Sequence, residues 1–217
     1  MTARVTLERP WLEMRLTQPM QVLSWVLNRP GFIHADRILW REVRNADLPR
    51  ELDVDTWLAG ELTAKQASDA PCFLTSRNIT RFVEARAAVE GVEAHAVITL
   101  GLSNAERVGT RMAYDGDCWG TINIAVECSL RLSQPAMLEA MSIITQARTA
   151  ALVEHGPRIG TGQVTGTGTD CIALAAPVGT ERFAGLHTPQ AEAIGQATYT
   201  AISQATQSWI EENSHGT

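Results

Sequence analysis

TINIAVEC (121–128) and CIALAA (171–176) decide the fold, because these two apolar segments enclose a helical segment and a glycine-rich loop. Both are short and uninterrupted by turn residues, which is typical of buried strands. Between them, Ser133 and Pro135 provide the N-cap and first-turn proline of a helix. Met137, Met141 and Ile144 recur at helical spacing and extend this helix to about residue 154. The sequence therefore predicts strand, helix, loop and strand in that order.

A second long helix follows the strand at 171–176. Thr188 is its N-cap and Pro189 its first residue. Its inner face is formed by Ile194, Ala197, Ala201, Ala205 and Trp209.

The N-terminal half is predicted to be rich in strands. A hairpin turn is expected at Glu90-Gly91, and one helix is expected at 56–66 with Asp55 as its N-cap. The predicted strands are 11–16, 21–27, 32–43, 72–75, 81–89 and 92–102. No linker or repeat divides the chain, so residues 1–217 are expected to form one mixed α/β (α+β) domain. In this domain the two long helices of the C-terminal half cover one face of a sheet.

The composition argues against several classes of partner. The 217 residues carry a formal net charge of −6, which does not favour nucleic acid. The N-terminus lacks a secretory signal and no apolar run is long enough to span a bilayer, so a cytoplasmic location without membrane contact is expected. The four cysteines lack zinc-site spacing, so neither a metal ligand set nor a cofactor is predicted, although metal assistance stays open. The sequence leaves open both a monomer and a homo-oligomer. These cysteines are Cys72, Cys118, Cys128 and Cys171.

Four polar clusters fall at predicted strand ends or helix starts, where functional loops usually lie. We expect them to converge on one concave site, because the groups of a catalytic site have to surround one reacting atom. The clusters are 75–78, 102–109, 120–123, and 160–170 together with 185–188.

The densest cluster alternates glycine and threonine and ends at Asp170. Such a loop lets backbone N–H groups approach an anion or an oxyanion closely. Asp170 is either a cap for the loop N–H groups or a general base.

His187 directly precedes the N-terminus of the last helix. There the helix dipole would keep an imidazole neutral, as a general base requires, although a surface histidine at a helix entrance is the alternative. Ser103 lies in GLSNA, which nearly matches a nucleophile elbow but ends in Ala105 where glycine is required.

The ordered set of motifs between about residues 73 and 195 resembles the adenosylcobinamide amidohydrolase family of corrinoid salvage enzymes. The matching segments are FLTS (73–76), GLSNAERVG (101–109), GTINI (120–124), PAMLEA (135–140), TGTGTD (165–170) and GLHT (185–188). The resemblance implies hydrolysis of the amide between a corrin-ring propionate and aminopropanol, with the corrinoid as substrate rather than cofactor.

The resemblance also implies roles for individual residues. Asp170 or His187 would activate water, and the Asn104 side chain would donate to the oxyanion. The backbone amides of Gly166, Thr167, Gly168 and Thr169 would be further oxyanion donors. The corrin periphery would be bound by Ser76, Arg77, Asn78, Arg107, Asn123, Glu139 and Thr188.

Two other classes of function stay open. A non-catalytic corrinoid- or tetrapyrrole-binding module would share the loop and the amide-binding side chains. A covalent acyl-transfer enzyme would use Ser76, Ser103 or a loop threonine as its nucleophile.

Overall fold

The computed structural model describes residues 3–44, 47–49, 51–113 and 119–214, so Cys118 lies outside the described residues. Its elements, numbered in chain order, are the strands β1 (Arg4–Glu8), β2 (Trp11–Ser24), β3 (Gly31–Glu42), β4 (Cys72–Thr75), β5 (Val83–Val89), β6 (Val92–Leu100), β7 (Ala105–Glu106), β8 (Ile122–Cys128), β9 (Arg158–Ile159), β10 (Gly162–Gln163), β11 (Gly166–Thr167) and β12 (Cys171–Ala176), and the helices α1 (Val54–Ala64), α2 (Gln134–His155) and α3 (Pro189–Ser214).

Eight strands form the main sheet in the order β4-β3-β2-β12-β8-β6-β5, with β1 paired to β2. The strands β8 and β12 are parallel neighbours, and α2 is in the connection between them. The remaining short strands pair as β9 with β10 and β7 with β11. The predicted glycine-rich loop therefore contains short strands of its own.

One face of β6, β8 and β12 packs against the two long helices. Ile98, Ile124 and Leu174 point to this face and share one buried cluster with Met137 of α2 and Ile194 of α3. The predicted arrangement of two helices on one side of a mixed α/β sheet is confirmed.

The opposite face of the same strands is covered by the sheet itself. Val97 and Ala125 belong to a second buried cluster that also contains Leu12 of β2 and Trp40 of β3. Arg86 of β5 donates a hydrogen bond to the Ala3 carbonyl beside β1, although these strands lie far apart in the sheet order. The sheet therefore curls until its distant strands meet.

The predicted hairpin turn is confirmed, because Glu90 and Gly91 have φ values of 47° and 83°. The predicted strands 11–16 and 21–27 form one strand, β2, whose pairing with β3 shifts register between Arg15 and Met20. Pro19 lies in this irregular stretch, which tolerates a residue without an N–H group.

The start of α1 differs from its prediction. Asp53, not Asp55, is the N-cap, because its side chain accepts a hydrogen bond from the Thr56 N–H. Two aspartates at this spacing both satisfy the sequence rule for a cap, and the hydrogen bond selects the first.

The N-terminal ends of β8 and β12 are called the site end, and their C-terminal ends the far end. The loops before β8 and β12 meet at the site end, whereas α2 and α3 begin at the far end. Within the described ranges, no helix has both the length and the apolar character needed to cross a membrane.

Candidate functional site

Asp170 organises the turn that precedes β12. Its Oδ1 accepts hydrogen bonds from the Thr167 hydroxyl at 2.5 Å, the Thr167 N–H at 3.1 Å and the Ile122 N–H at 3.3 Å. Its Oδ2 lies 2.7 Å from Nη1 of Arg148 in α2. Burial raises the pKa of the Asp170 carboxyl, and Arg148 and the Thr167 donors oppose that rise. These contacts are the ones that the cap interpretation predicts.

Gly166 is required by the same contacts. A Cβ added there would lie 2.6 Å from Asp170 Oδ2 and 3.5 Å from the guanidinium carbon of Arg148. Any side chain at this position would therefore push the buried ion pair apart.

Asn104 lies next to this turn. The strand β7 pairs with β11, with Ala105 opposite Thr167, and this pairing brings the preceding Asn104 alongside Gly168. A Cβ on Gly120 would lie 2.9 Å from Asn104 Oδ1, so the glycine allows the close approach of the loop before β8. Asn104 and Asp170 therefore lie on the same side of the domain, as predicted.

Two cavities open beside the turn, and they share Leu48, Trp119, Gly168 and Thr169 as lining residues. The first has a volume of about 560 Å³ and the second about 850 Å³. The first is also lined by Trp25, Val26, Leu27, Val43, residues 72–76, Gly120, Thr121, Asn123, Asp170 and Cys171. The second is also lined by Pro49, Leu52, Val54, Asn104, Glu106, Thr110, Arg111 and Met112.

Six of the predicted site residues line these cavities: Ser76, Asn104, Asn123, Gly168, Thr169 and Asp170. Asn123 also donates a hydrogen bond to the Leu74 carbonyl at 2.8 Å and so fixes β4 over the curled sheet. Burial raises the pKa of the Cys171 thiol to about 11, so this cavity residue is a neutral thiol near pH 7.

The family model for adenosylcobinamide amidohydrolase matches residues 1–214. The chain belongs to this family. The adenosylcobinamide amidohydrolase family is a family of hydrolases, so the predicted resemblance and the general assignment as an amidohydrolase are confirmed.

No curated protein sequence matches the chain closely enough to count as a relative. Among solved structures, the chain is similar to the PH0078 protein from Pyrococcus horikoshii OT3, with 9% sequence identity and a TM-score of 0.47. The similarity covers 98% of this chain and 80% of that chain.

Three residues predicted from the family motifs have structural contacts beside the site end. Arg77 forms an ion pair with Glu212 of α3 at 2.8 Å. The Asn78 side chain accepts the Thr80 N–H and so caps the 3-10 turn Ile79–Arg81. Arg107 donates to the Gln163 carbonyl and thereby holds β10 near β7.

The motif GLHT of the family lies at the far end. Glu139, in the second turn of α2, accepts the Ala184 N–H at 2.5 Å, whereas Arg148 contacts Asp170 from a point roughly 13 Å further along the same helix. His187 is exposed and precedes Thr188, whose hydroxyl caps α3 by accepting the Ala191 N–H. The structure therefore brings together residues of the clusters at 75–78, 102–109, 120–123 and 160–170, and separates the segment 185–188 with His187 from them.

Several residues at the site were not predicted as site residues, among them Trp25, Glu106, Trp119 and Arg148. Trp119 adjoins the predicted cluster at 120–123, and Glu106 lies within the motif at 101–109. Both residues therefore lie in or next to segments that the sequence motifs identify. Trp25 and Arg148 lie after the end of β2 and in α2, outside the predicted polar clusters.

Among the residues that the structure describes, no group of three or more His, Cys, Asp and Glu side chains is arranged to hold a metal ion.

Proposed function

We propose that the protein hydrolyses adenosylcobinamide at the amide between a corrin-ring propionate and aminopropanol. The products are adenosylcobyric acid, which can re-enter cobamide salvage, and the free amine. Family membership supports this class of substrate. The structural observation that carries the proposal is the pair of adjoining cavities, whose common wall contains Trp119, Gly168 and Thr169.

The size of the cavities suits a large ligand. Pockets for drug-sized molecules measure roughly 300–1,000 Å³, and each of these two cavities alone reaches that range. Trp25 and Trp119 are each 50% exposed at the cavity walls. Indole rings offer flat, rigid apolar surfaces, on which the face of a macrocycle would pack.

The polar groups at the common wall suit an amide substrate. Amide hydrolysis passes through an oxyanion, which preorganised N–H donors stabilise. In the proposed complex, the Asn104 amide and the backbone N–H group of Gly168 would hold that oxyanion. Asp170 and Arg148 would keep the turn in place, and Ser76 would bind an amide of the corrin periphery.

The proposal is tested by incubating the purified protein with adenosylcobinamide and separating the corrinoid products by chromatography. We expect adenosylcobyric acid and aminopropanol to form without added nucleotide. Asn104→Ala is expected to lower kcat by about 10²–10³-fold, the usual cost of losing an oxyanion donor. Asn213→Ala, at the exposed end of α3, is the matched control. Unchanged adenosylcobinamide in the presence of folded wild-type protein would contradict the proposal.

The same samples distinguish the two other classes of function. Binding of the corrinoid without turnover would identify a binding module. A covalent adduct detected by mass spectrometry would identify an acyl-transfer enzyme, for which Ser76 and Thr169 are candidate nucleophiles in the lining of the first cavity.

A further inference from the structure

We propose that Glu106 is the general base that takes a proton from the attacking water. This inference rests on the proposed function. It is carried by the placement of Glu106 on the wall of the second cavity, together with Asn104, Gly168 and Thr169.

The strand β7 determines this placement. Glu106 is directly opposite Gly166 in the pairing of β7 with β11, and its carbonyl accepts the Thr165 N–H at 2.9 Å. Asn104 lies two residues earlier, in the turn closed by a hydrogen bond of 3.1 Å from the Ala105 N–H to the Leu102 carbonyl, and both residues line the second cavity. The proton acceptor and the oxyanion donor therefore face one cavity from positions two residues apart in the chain.

Glu106 also has hydrogen-bonding capacity that Asp170 lacks. In the part of the chain that the structure describes, the Glu106 carboxylate accepts one long hydrogen bond, from the Met112 N–H to Oε2 at 3.5 Å. The Asp170 oxygens, in contrast, accept from Thr167, Ile122 and Arg148. A carboxylate can accept a proton from water only through a lone pair that is not already used. Among the described residues, Glu106 meets this condition and Asp170 does not.

His187 fails a different requirement. A general base has to lie within hydrogen-bond reach of the water, directly or through one further water. His187 follows β12 at the far end, whereas Asn104 and Gly168 lie at the site end.

In the proposed step, Glu106 first accepts a proton and later returns it. Water gives one proton to a Glu106 oxygen, and its oxygen bonds to the amide carbon, whose carbonyl oxygen becomes the oxyanion held by Asn104. The C–N bond then breaks, and Glu106 returns the proton to the departing nitrogen. The products are a carboxylic acid and an amine, which exchange a further proton at neutral pH.

The test uses Glu106→Gln, which keeps the shape of the side chain but cannot accept the proton. With adenosylcobinamide as substrate, we expect kcat to fall by at least about 10²-fold, as is usual when a positioned base is lost, and KM to stay within threefold of wild type. The wild-type fall of kcat/KM at low pH is expected to disappear. Glu211→Gln, on the exposed side of α3, removes the same charge elsewhere and serves as the control.

Three results would overturn the inference. The first is a Glu106→Gln variant that keeps more than a third of the wild-type kcat, or that loses activity only through KM. The second is an acid limb of kcat/KM that is unchanged in this variant. The third is ¹⁸O from labelled water found in Glu106 after a single turnover, because the carboxylate would then be the nucleophile.

The experiment also separates failure of this inference from failure of the proposed function. Wild-type protein that leaves adenosylcobinamide intact contradicts the proposed function itself, whereas an active wild type with an active Glu106→Gln variant contradicts only the role of Glu106. If Glu106→Gln does not fold, Glu106→Asp carries the test. It is expected to retain the acid limb with kcat lowered by about tenfold, and a wild-type kcat would overturn the inference.

Discussion

The site end and the far end of β8 and β12 both carry polar residues, but they hold them differently. At the site end, the Asp170 side chain is 8% exposed and binds Arg148, which is 15% exposed. At the far end, Thr188 and Glu139 cap the start of α3 and the loop before it, and His187 is exposed. The polar side chains of the site end are therefore fixed by a buried ion pair, whereas those of the far end mainly cap the start of a helix and the loop before it.

The largest effect is expected when the buried ion pair is broken. Asp170→Asn leaves Arg148 without its carboxylate and should lower the free energy of unfolding by roughly 3 kcal/mol, since an uncompensated buried charge is costly. Denaturant unfolding measures this loss. Asp36→Asn, which removes the exposed ion pair with Arg15, should cost less than about 1 kcal/mol.

The same variant tests the alternative role of Asp170. If Asp170 is a general base, turnover would fall by at least about 10²-fold while stability stayed near wild type. That outcome would contradict the cap interpretation and the comparison built on it.

The next largest effect on stability is expected from alanine substitutions of Gly166 at the site end and Gly185 at the far end. Gly166→Ala would place a Cβ 2.6 Å from the fixed Asp170 carboxylate, and a loss of about 1–3 kcal/mol in the free energy of unfolding is expected. Gly185→Ala would place a Cβ 2.8 Å from Glu139 Oε1, but this half-buried side chain can move. Equal losses in the two variants would show that the ends are equally rigid.

A smaller effect is expected from the far-end cap. Thr188→Ala should cost about 1 kcal/mol, because one helix N-cap is lost, with kcat/KM for the corrinoid within threefold of wild type. His187→Gln should change neither quantity. A 10²-fold loss of kcat in His187→Gln would extend the site to the far end and break the comparison.

The smallest effect is in the pH dependence of stability. His95, on β6 opposite Glu127, lies at the far end, with Glu84 2.8 Å from its Nε2 and Arg86 as its partner on β5. Burial lowers the pKa of His95, so the unfolded chain binds more protons and stability should fall as the pH drops below about 6.5. Unfolding curves should show a weaker loss in His95→Gln over that interval, and an unchanged loss would assign it to other groups.

The fold could be predicted where local signals agree with tertiary packing. The strands at 72–75 and 171–176 and the helix capped by Ser133 were predicted with the bounds that the structure shows, because turn residues and caps mark them. The curl of the sheet could not be predicted, since it depends on contacts such as that between Arg86 and the Ala3 carbonyl.

The site could be predicted only in part, because tertiary packing decides which of its residues lie together. Asn104 and Asp170 lie in polar clusters that sequence reading detects. The segment 185–188 of the fourth cluster was expected to join the site, because catalytic groups have to surround one reacting atom, but β12 carries His187 to the opposite end of the sheet. Arg148 lies outside the polar clusters, and its pairing with Asp170 depends on the packing of α2 against the turn.

The pairing of β2 with β12 has a consequence for how the chain folds. Ser24 lies opposite Ala173, so the central strands join residues from opposite ends of the sequence. A growing polypeptide cannot complete this sheet until residues 171–176 have been synthesised. Until then, the edge of β2 that pairs with β12 has no strand beside it. Strand pairs between residues far apart in the sequence form late and slowly. The unpaired strand edge makes the partly synthesised chain prone to self-association. Late hydrogen-exchange protection of residues 21–24 during refolding would record this delay.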